Sequence, residues 1–160
     1  EFRRVLFRSL SSNTTYYFFV FALNNTACTG GPVYLTANPL SGNQATPYPP
    51  CIAPSSQPTG LSFSSVTYNS ISGSFTATVA DEYLVVMSTN SSLSSNPING
   101  TTYNTGDALG GGTVVSRGTA TGFTASSLSS NNTYYFFVFA LNKTACTGGP
   151  VYLKIGRAHV

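Results

Sequence analysis

An all-β protein is what the sequence predicts, with its strands arranged as an antiparallel sandwich. The chain is rich in Ser, Thr, Asn, Gly and aromatics and nearly free of Lys, Glu and Arg, the usual fillers of helix surfaces. Short β-favouring runs alternate with Asn, Gly, Ser and Pro clusters at fairly even spacing, and no segment carries a convincing helical period. The third observation is a repeat: residues 127–153 copy residues 9–35 at an offset of 118, with only Thr14/Asn132 and Asn25/Lys143 changed. Such a copy marks a tandem array, of which the chain holds one whole repeat and the tail of another.

The two ends fit no pattern nearby. EFRRVLFRS and KIGRAHV can be written in codons that are reverse complements over about twenty nucleotides, and the string resembles a sequencing adapter translated at both ends of one insert. Residues 1–9 and 154–160 are therefore expected to be non-native and are left out of fold reasoning. They hold five of the seven basic residues and His159. What remains carries Arg117 and Lys143 against Asp81, Glu82 and Asp107, a net charge of −1. The basic balance of the full chain is thus no pointer to nucleic acid, and no apolar run is long enough for membrane insertion by a helix.

Taken in order, residues 10–37 are expected to be the C-terminal part of an upstream repeat, with a long strand over 16–24 and a second over 32–37. Residues 38–57 carry Pro39, Pro47, Pro49, Pro50 and Pro54, each of which removes a backbone donor, so this stretch is expected to be a semi-rigid linker. The nearly complete repeat is expected over 58–153, with strands at 61–67, 70–78, 82–89, 113–116, 122–125, 134–142 and 151–153. The connection over 90–112 is long, and such a segment is usually functional or packed against something.

The residue pattern of this repeat resembles a fibronectin type III domain over 58–153. Pro58, Leu61, Phe63 and Val66 match its first strand, Ile71 and Phe75 the second, Tyr83 and Val85 the third, and Phe123 and Leu128 the fifth. Leu128, Tyr134, Phe136, Val138, Ala140 and Asn142 match the L-(five residues)-Y-x-V-x-V-x-A-x-N pattern of the sixth. The resemblance implies an immunoglobulin-like antiparallel β-sandwich and a tyrosine corner at Tyr134, with Tyr16 in that role in the truncated copy. Two positions depart from the pattern: Phe75 replaces a tryptophan, and Gly73 stands where a branched aliphatic is usual, which implies a looser core there. Repeats with this long insertion and a Cys-Thr-Gly-Gly-Pro turn resemble those of secreted, multi-domain bacterial surface proteins.

Little in the native stretch could carry chemistry. With His159 set aside, no histidine base is left for a nucleophile, and no catalytic residue is assigned. Asp81 and Glu82 are adjacent and point to opposite faces of a strand, while Asp107 sits in a glycine-rich loop, so all three are read as solvated turn residues. Gly110 to Gly112 lack the Lys-Ser/Thr pair and helix of a phosphate loop. Three scattered acids and three widely spaced cysteines do not suit a metal, so neither metal nor cofactor is expected. Cys28 and Cys146 occupy equivalent turn positions, and Cys51 follows the first of them; a Cys28–Cys51 disulfide is expected, contributing ~3 kcal/mol and implying an oxidising compartment, against the alternative of free buried thiols.

One face remains. Tyr135, Phe137, Phe139 and Leu141 alternate with the core set of the long strand and point away from the sandwich, joined by Leu84 and Val86. Three half-exposed aromatics alone would present on the order of 300 Å² of apolar surface, so something should cover it. The long insertion could do so as a lid, through Pro97, Ile98, Tyr103 and Leu109. Alternatively, Tyr135, Phe137 and Phe139 form an open candidate binding face for a sugar ring or a partner's apolar strand.

The expected function is a non-catalytic structural or adhesive spacer in a secreted or cell-surface bacterial protein, its partners being neighbouring repeats of the same chain. The alternative is a carbohydrate- or protein-binding accessory module of an extracellular hydrolase, with carbohydrate or a cell-surface protein as partner. This superfold hosts many roles, so the fold alone does not choose between them.

Overall fold

The computed structural model describes residues 9–26 and 29–154. Residues 1–8 and 155–160, most of the two stretches read as adapter-derived, and Cys28 lie outside the described residues. The chain divides into two compact units between Pro49 and Pro50.

In the first unit the aromatic run forms β1 (Thr15–Val20) and β2 (Leu23–Asn24), followed by β3 (Val33–Tyr34) and β4 (Leu40–Ala45). β2 pairs antiparallel with β3, and β1 with β4 from Thr15 opposite Ala45 to Val20 opposite Leu40. This corrects the reading of 38–57 as a linker throughout. Its prolines fall at 39, 47, 49, 50 and 54, so a six-residue stretch between them keeps every donor and can pair. Thr46 extends the ladder, its amide donating to the Thr14 carbonyl at 2.9 Å while its hydroxyl accepts the Thr14 amide at 3.0 Å.

The second unit is an immunoglobulin-like antiparallel sandwich. Its strands are β5 (Thr59–Val66), β6 (Ile71–Thr76), β7 (Glu82–Ser88), β8 (Ala108–Leu109), β9 (Gly112–Gly118), β10 (Gly122–Ala125), β11 (Tyr135–Asn142) and β12 (Val151–Tyr152). One sheet has the order β10-β6-β5 and the other β12-β11-β7-β9-β8, the arrangement of a fibronectin type III fold. The short β8 was not expected within the insertion; it pairs with β9 through Ala108 and Leu109.

Alternation along β7 and β11 creates two apolar clusters, one on each face of the larger sheet. Tyr83, Val85, Phe136 and Ala140 turn inward and meet Phe75, Phe123 and Ala125 between the sheets. Leu84, Val86, Phe137, Phe139 and Leu141 turn to the far face. A strand buried on both sides reads as a continuous apolar run, as YFFVFAL does.

The two departures from the family pattern are accommodated by aromatic rings. Phe75 packs edge-on against Tyr83 with centroids 5.1 Å apart. At Gly73 a Cβ would lie 2.6 Å from Phe123 Cζ and 2.8 Å from the Ser62 carbonyl oxygen. The expected looseness there is therefore corrected: the Phe123 ring occupies the space that an aliphatic side chain would need, and continues onto Phe136 with centroids 5.0 Å apart.

Candidate functional site

The aromatic face of β11 is closed. Phe139 is 1% exposed and Phe137 8%, and Tyr135 is partly buried against the same cluster. The reading of Tyr135, Phe137 and Phe139 as an open binding face is corrected, because the chain between β7 and β9 folds back over them. Tyr103 and Leu109 are buried in that second core, Leu93 packs on it and Pro97 is fully buried. Ile98 is not part of it: at 65% exposure it points outward, while its backbone N–H donates to the Tyr103 hydroxyl at 3.2 Å.

Hydrogen bonds tie the middle of the insertion to β12 and its two flanks to each other. The Tyr152 ring meets Tyr103 edge-on at 6.0 Å between centroids, and its hydroxyl donates to the Thr101 carbonyl at 2.8 Å. Burial pushes the Tyr152 phenol above its ordinary pKa, as loss of solvent disfavours the phenolate. The Tyr152 amide donates to Asn99 Oδ1 at 3.0 Å, and the Gly100 amide to the Pro150 carbonyl at 2.8 Å. On the far side, Ser94 N–H donates to the Gly110 carbonyl at 2.9 Å. Gly110 has φ +58°, and a Cβ there would lie 2.5 Å from the Ser95 carbonyl oxygen, so the glycine run is a close-packed turn.

Cys51 bonds to Cys146. The expected Cys28–Cys51 bridge is corrected accordingly: Cys51 lies in the second unit, where its amide donates to the Thr147 carbonyl at 2.8 Å and Pro50 forms a parallel bridge with Thr147. That seat brings the sulfur to the turn between β11 and β12. Gly149 leaves room for it, as a Cβ there would lie 2.7 Å from Cys51 Sγ.

Asp81 and Glu82 are half-buried and tie distant parts of the chain together, which departs from their reading as solvated residues, whereas Asp107 is the exposed turn residue expected. Asp81 Oδ2 accepts the Lys143 and Thr144 amides, both at 2.7 Å, and these bonds to the ionised form lower its pKa. The Asp81 amide donates to Asn142 Oδ1 at 3.1 Å, and Asn142 Nδ2 donates to the Ile52 carbonyl at 2.9 Å. Glu82 takes Arg117 Nε at 2.9 Å and pairs with Lys143 Nζ on its other oxygen. Asp107 Oδ2 accepts the Asn104 amide at 2.7 Å.

Tyr134 accepts the Ser129 amide at its hydroxyl at 3.0 Å, and Tyr16 the Ser11 amide at 2.7 Å, each five residues upstream. Sequence reasoning missed Gln57, whose Oε1 accepts the Ala140 amide at 3.0 Å while its Nε2 donates to the Leu153 carbonyl at 2.6 Å. A glutamine in a proline-rich stretch carries no signal for that role. Among the described residues no group of three or more His, Cys, Asp or Glu could hold a metal ion, and no helix is long and apolar enough to cross a membrane.

No family model matches the chain, and no curated protein matches it. Among solved structures it is similar to the extracellular region of rat CD45, domains d3–d4, at 16% identity with a TM-score of 0.38. The match covers 92% of this chain, which spans 65% of that one.

Proposed function

We propose that the chain is a non-catalytic structural module of a secreted or cell-surface multi-domain protein, serving as a spacer between neighbouring copies of itself. The observation that carries this reading is the closed far face. The apolar surface most suited to a ligand is spent on a second internal core, which supports a role resting on rigidity over one resting on recognition. The Cys51–Cys146 disulfide supports an oxidising, extracellular setting. Near identity of the two copies suits an array in which each unit does the same mechanical work.

A glycan array and a cell-surface protein screen with the 160-residue chain test this, paired with small-angle scattering on engineered arrays of increasing copy number. The spacer reading expects empty screens and a maximum dimension that grows linearly with copy number. Saturable binding in either screen would replace it with the accessory binding module.

A further inference from the structure

Six Asn-x-Ser/Thr triplets stand in the sequence, beginning at Asn13, Asn24, Asn90, Asn99, Asn131 and Asn142. A chain this rich in Asn, Ser and Thr holds such triplets by composition alone, so the motif by itself chooses nothing. Two observations do. The two positions at which the copies differ, Thr14/Asn132 and Asn25/Lys143, are both the middle residue of a triplet, the place the motif leaves open, so all four triplets keep their Asn and Thr. The other observation is what each asparagine side chain does in the fold of the second unit. Asn142 is committed, its Oδ1 accepting the Asp81 amide at 3.1 Å and its Nδ2 donating to the Ile52 carbonyl at 2.9 Å. Asn99 Oδ1 holds the Tyr152 amide at 3.0 Å. Asn90 is exposed, but its Nδ2 lies against the glycine turn, 3.9 Å from where a Cβ on Gly111 would stand. Asn131 differs from these three. It sits in the turn that leads into β11, with φ +60°, between Ser129 and the Tyr134 hydroxyl that accepts the Ser129 amide. Asn131 and Thr133 are both exposed, and neither side chain makes a hydrogen bond among the described residues. The left-handed backbone accounts for an asparagine at 131, but nothing in the turn calls for a threonine at 133. Asn13 occupies the same turn in the first unit, exposed and with φ +50°.

We propose that Asn131 is an attachment site for an N-linked glycan. Its Nδ2 forms a bond to the anomeric carbon of the incoming sugar as the bond from that carbon to a diphosphate oxygen breaks. The diphosphate leaves with the electron pair, and the amide loses one of its two protons. The donor is a lipid diphosphate-linked oligosaccharide, which a transferase of the export route delivers. The turn fits the product. Its hydrogen bonds use the Ser129 backbone and the Tyr134 phenol, so a sugar on Asn131 displaces none of them. The same addition at Asn142 would disturb the Nδ2 bond to Ile52 that ties the start of the second unit to the end of β11.

This rests on the secreted setting proposed above and can fail without it. The test secretes the 160-residue chain from cultured cells that N-glycosylate their exported proteins. Enzymatic removal of the glycans in heavy-oxygen water turns each sugar-bearing asparagine into a labelled aspartate, and peptide mass mapping locates the label. The expected result is label at Asn131 with Asn142 bare. Thr133→Ala, which leaves the asparagine and its turn in place, should abolish the label at Asn131 without changing Tm. Three outcomes would overturn the proposal: no label at Asn131, label at Asn142 with Asn131 bare, or label at Asn131 that persists in Thr133→Ala. The same map reads the disulfide and so separates the two readings. A bare Asn131 with Cys51 still joined to Cys146 sinks the glycan alone, whereas reduced Cys51 and Cys146 in the secreted chain count against the extracellular setting.

Discussion

Cys51 and Cys146 are bonded across 95 residues, with Cα atoms 4.7 Å apart, so the start of the second unit is fastened to the turn after its longest strand. Closing a loop of that size constrains the unfolded chain by on the order of 4–5 kcal/mol in the chain-entropy model. Chymotryptic mapping under non-reducing conditions should recover a peptide pair linking Cys51 and Cys146. Recovery of Cys51 linked to Cys28 would contradict the pairing. Cys51→Ser with Cys146→Ser should lower Tm markedly and to the same extent as adding reductant to the native chain.

Asp81 holds the same turn by electrostatics. Its pKa lies below the ordinary 3.8 in the folded state because the Lys143 and Thr144 amides favour the carboxylate. A folded pKa below the unfolded one adds stability that is fully present above the unfolded value and is lost as pH falls through the folded value. Asp81→Asn should therefore destabilise the chain by a constant amount at pH well above the unfolded value, and the gap should narrow as pH falls below that value and through the lowered folded one. A gap independent of pH, followed by thermal unfolding across that range, would show that the carboxylate's charge is irrelevant.

Gly73 faces Phe123 so closely that any side chain must displace the ring. Gly73→Val, which restores the aliphatic usual in the family pattern, should destabilise by about 1–3 kcal/mol through overpacking, despite the better strand propensity of valine. Phe123→Ala should cost less in the Gly73→Val background than in the native chain, because the clash it relieves is then present. A stabilising Gly73→Val would mean the space is open.

These residues also show where sequence reasoning reaches and where it stops. The strands of the second unit other than β8 and the inward set Tyr83, Val85, Phe136 and Ala140 were legible because turn residues bound the runs and the matched residue pattern supplies the register. The cover over Phe137 and Phe139 was legible too, since an apolar stripe of that size cannot stay open, and Pro97, Tyr103 and Leu109 were the apolar residues at hand. Ile98 was assigned to the same core and points outward, because apolar character in a loop does not say which way the backbone turns. The period equates Cys28 with Cys146 but leaves the phase of Cys51 open, and backbone pairing at Thr147 decides it. Leu40–Ala45 was hidden by its flanking prolines. Gln57 acts through a side-chain amide, which no periodicity encodes.

The central claim is that the far face of β11 is an internal core closed by the insertion, and paired substitutions on its two sides test it most directly. In the 160-residue chain, Phe137→Ser together with Phe139→Ser should lower Tm by about 15 °C or more, since each buried phenylalanine contributes several kcal/mol. Tyr103→Ala, on the covering segment, should lower it in the same direction, whereas Ile98→Ser should leave it unchanged. An unchanged Tm in the double serine variant, with binding lost in the glycan or protein screen, would contradict the account and make the face an open platform.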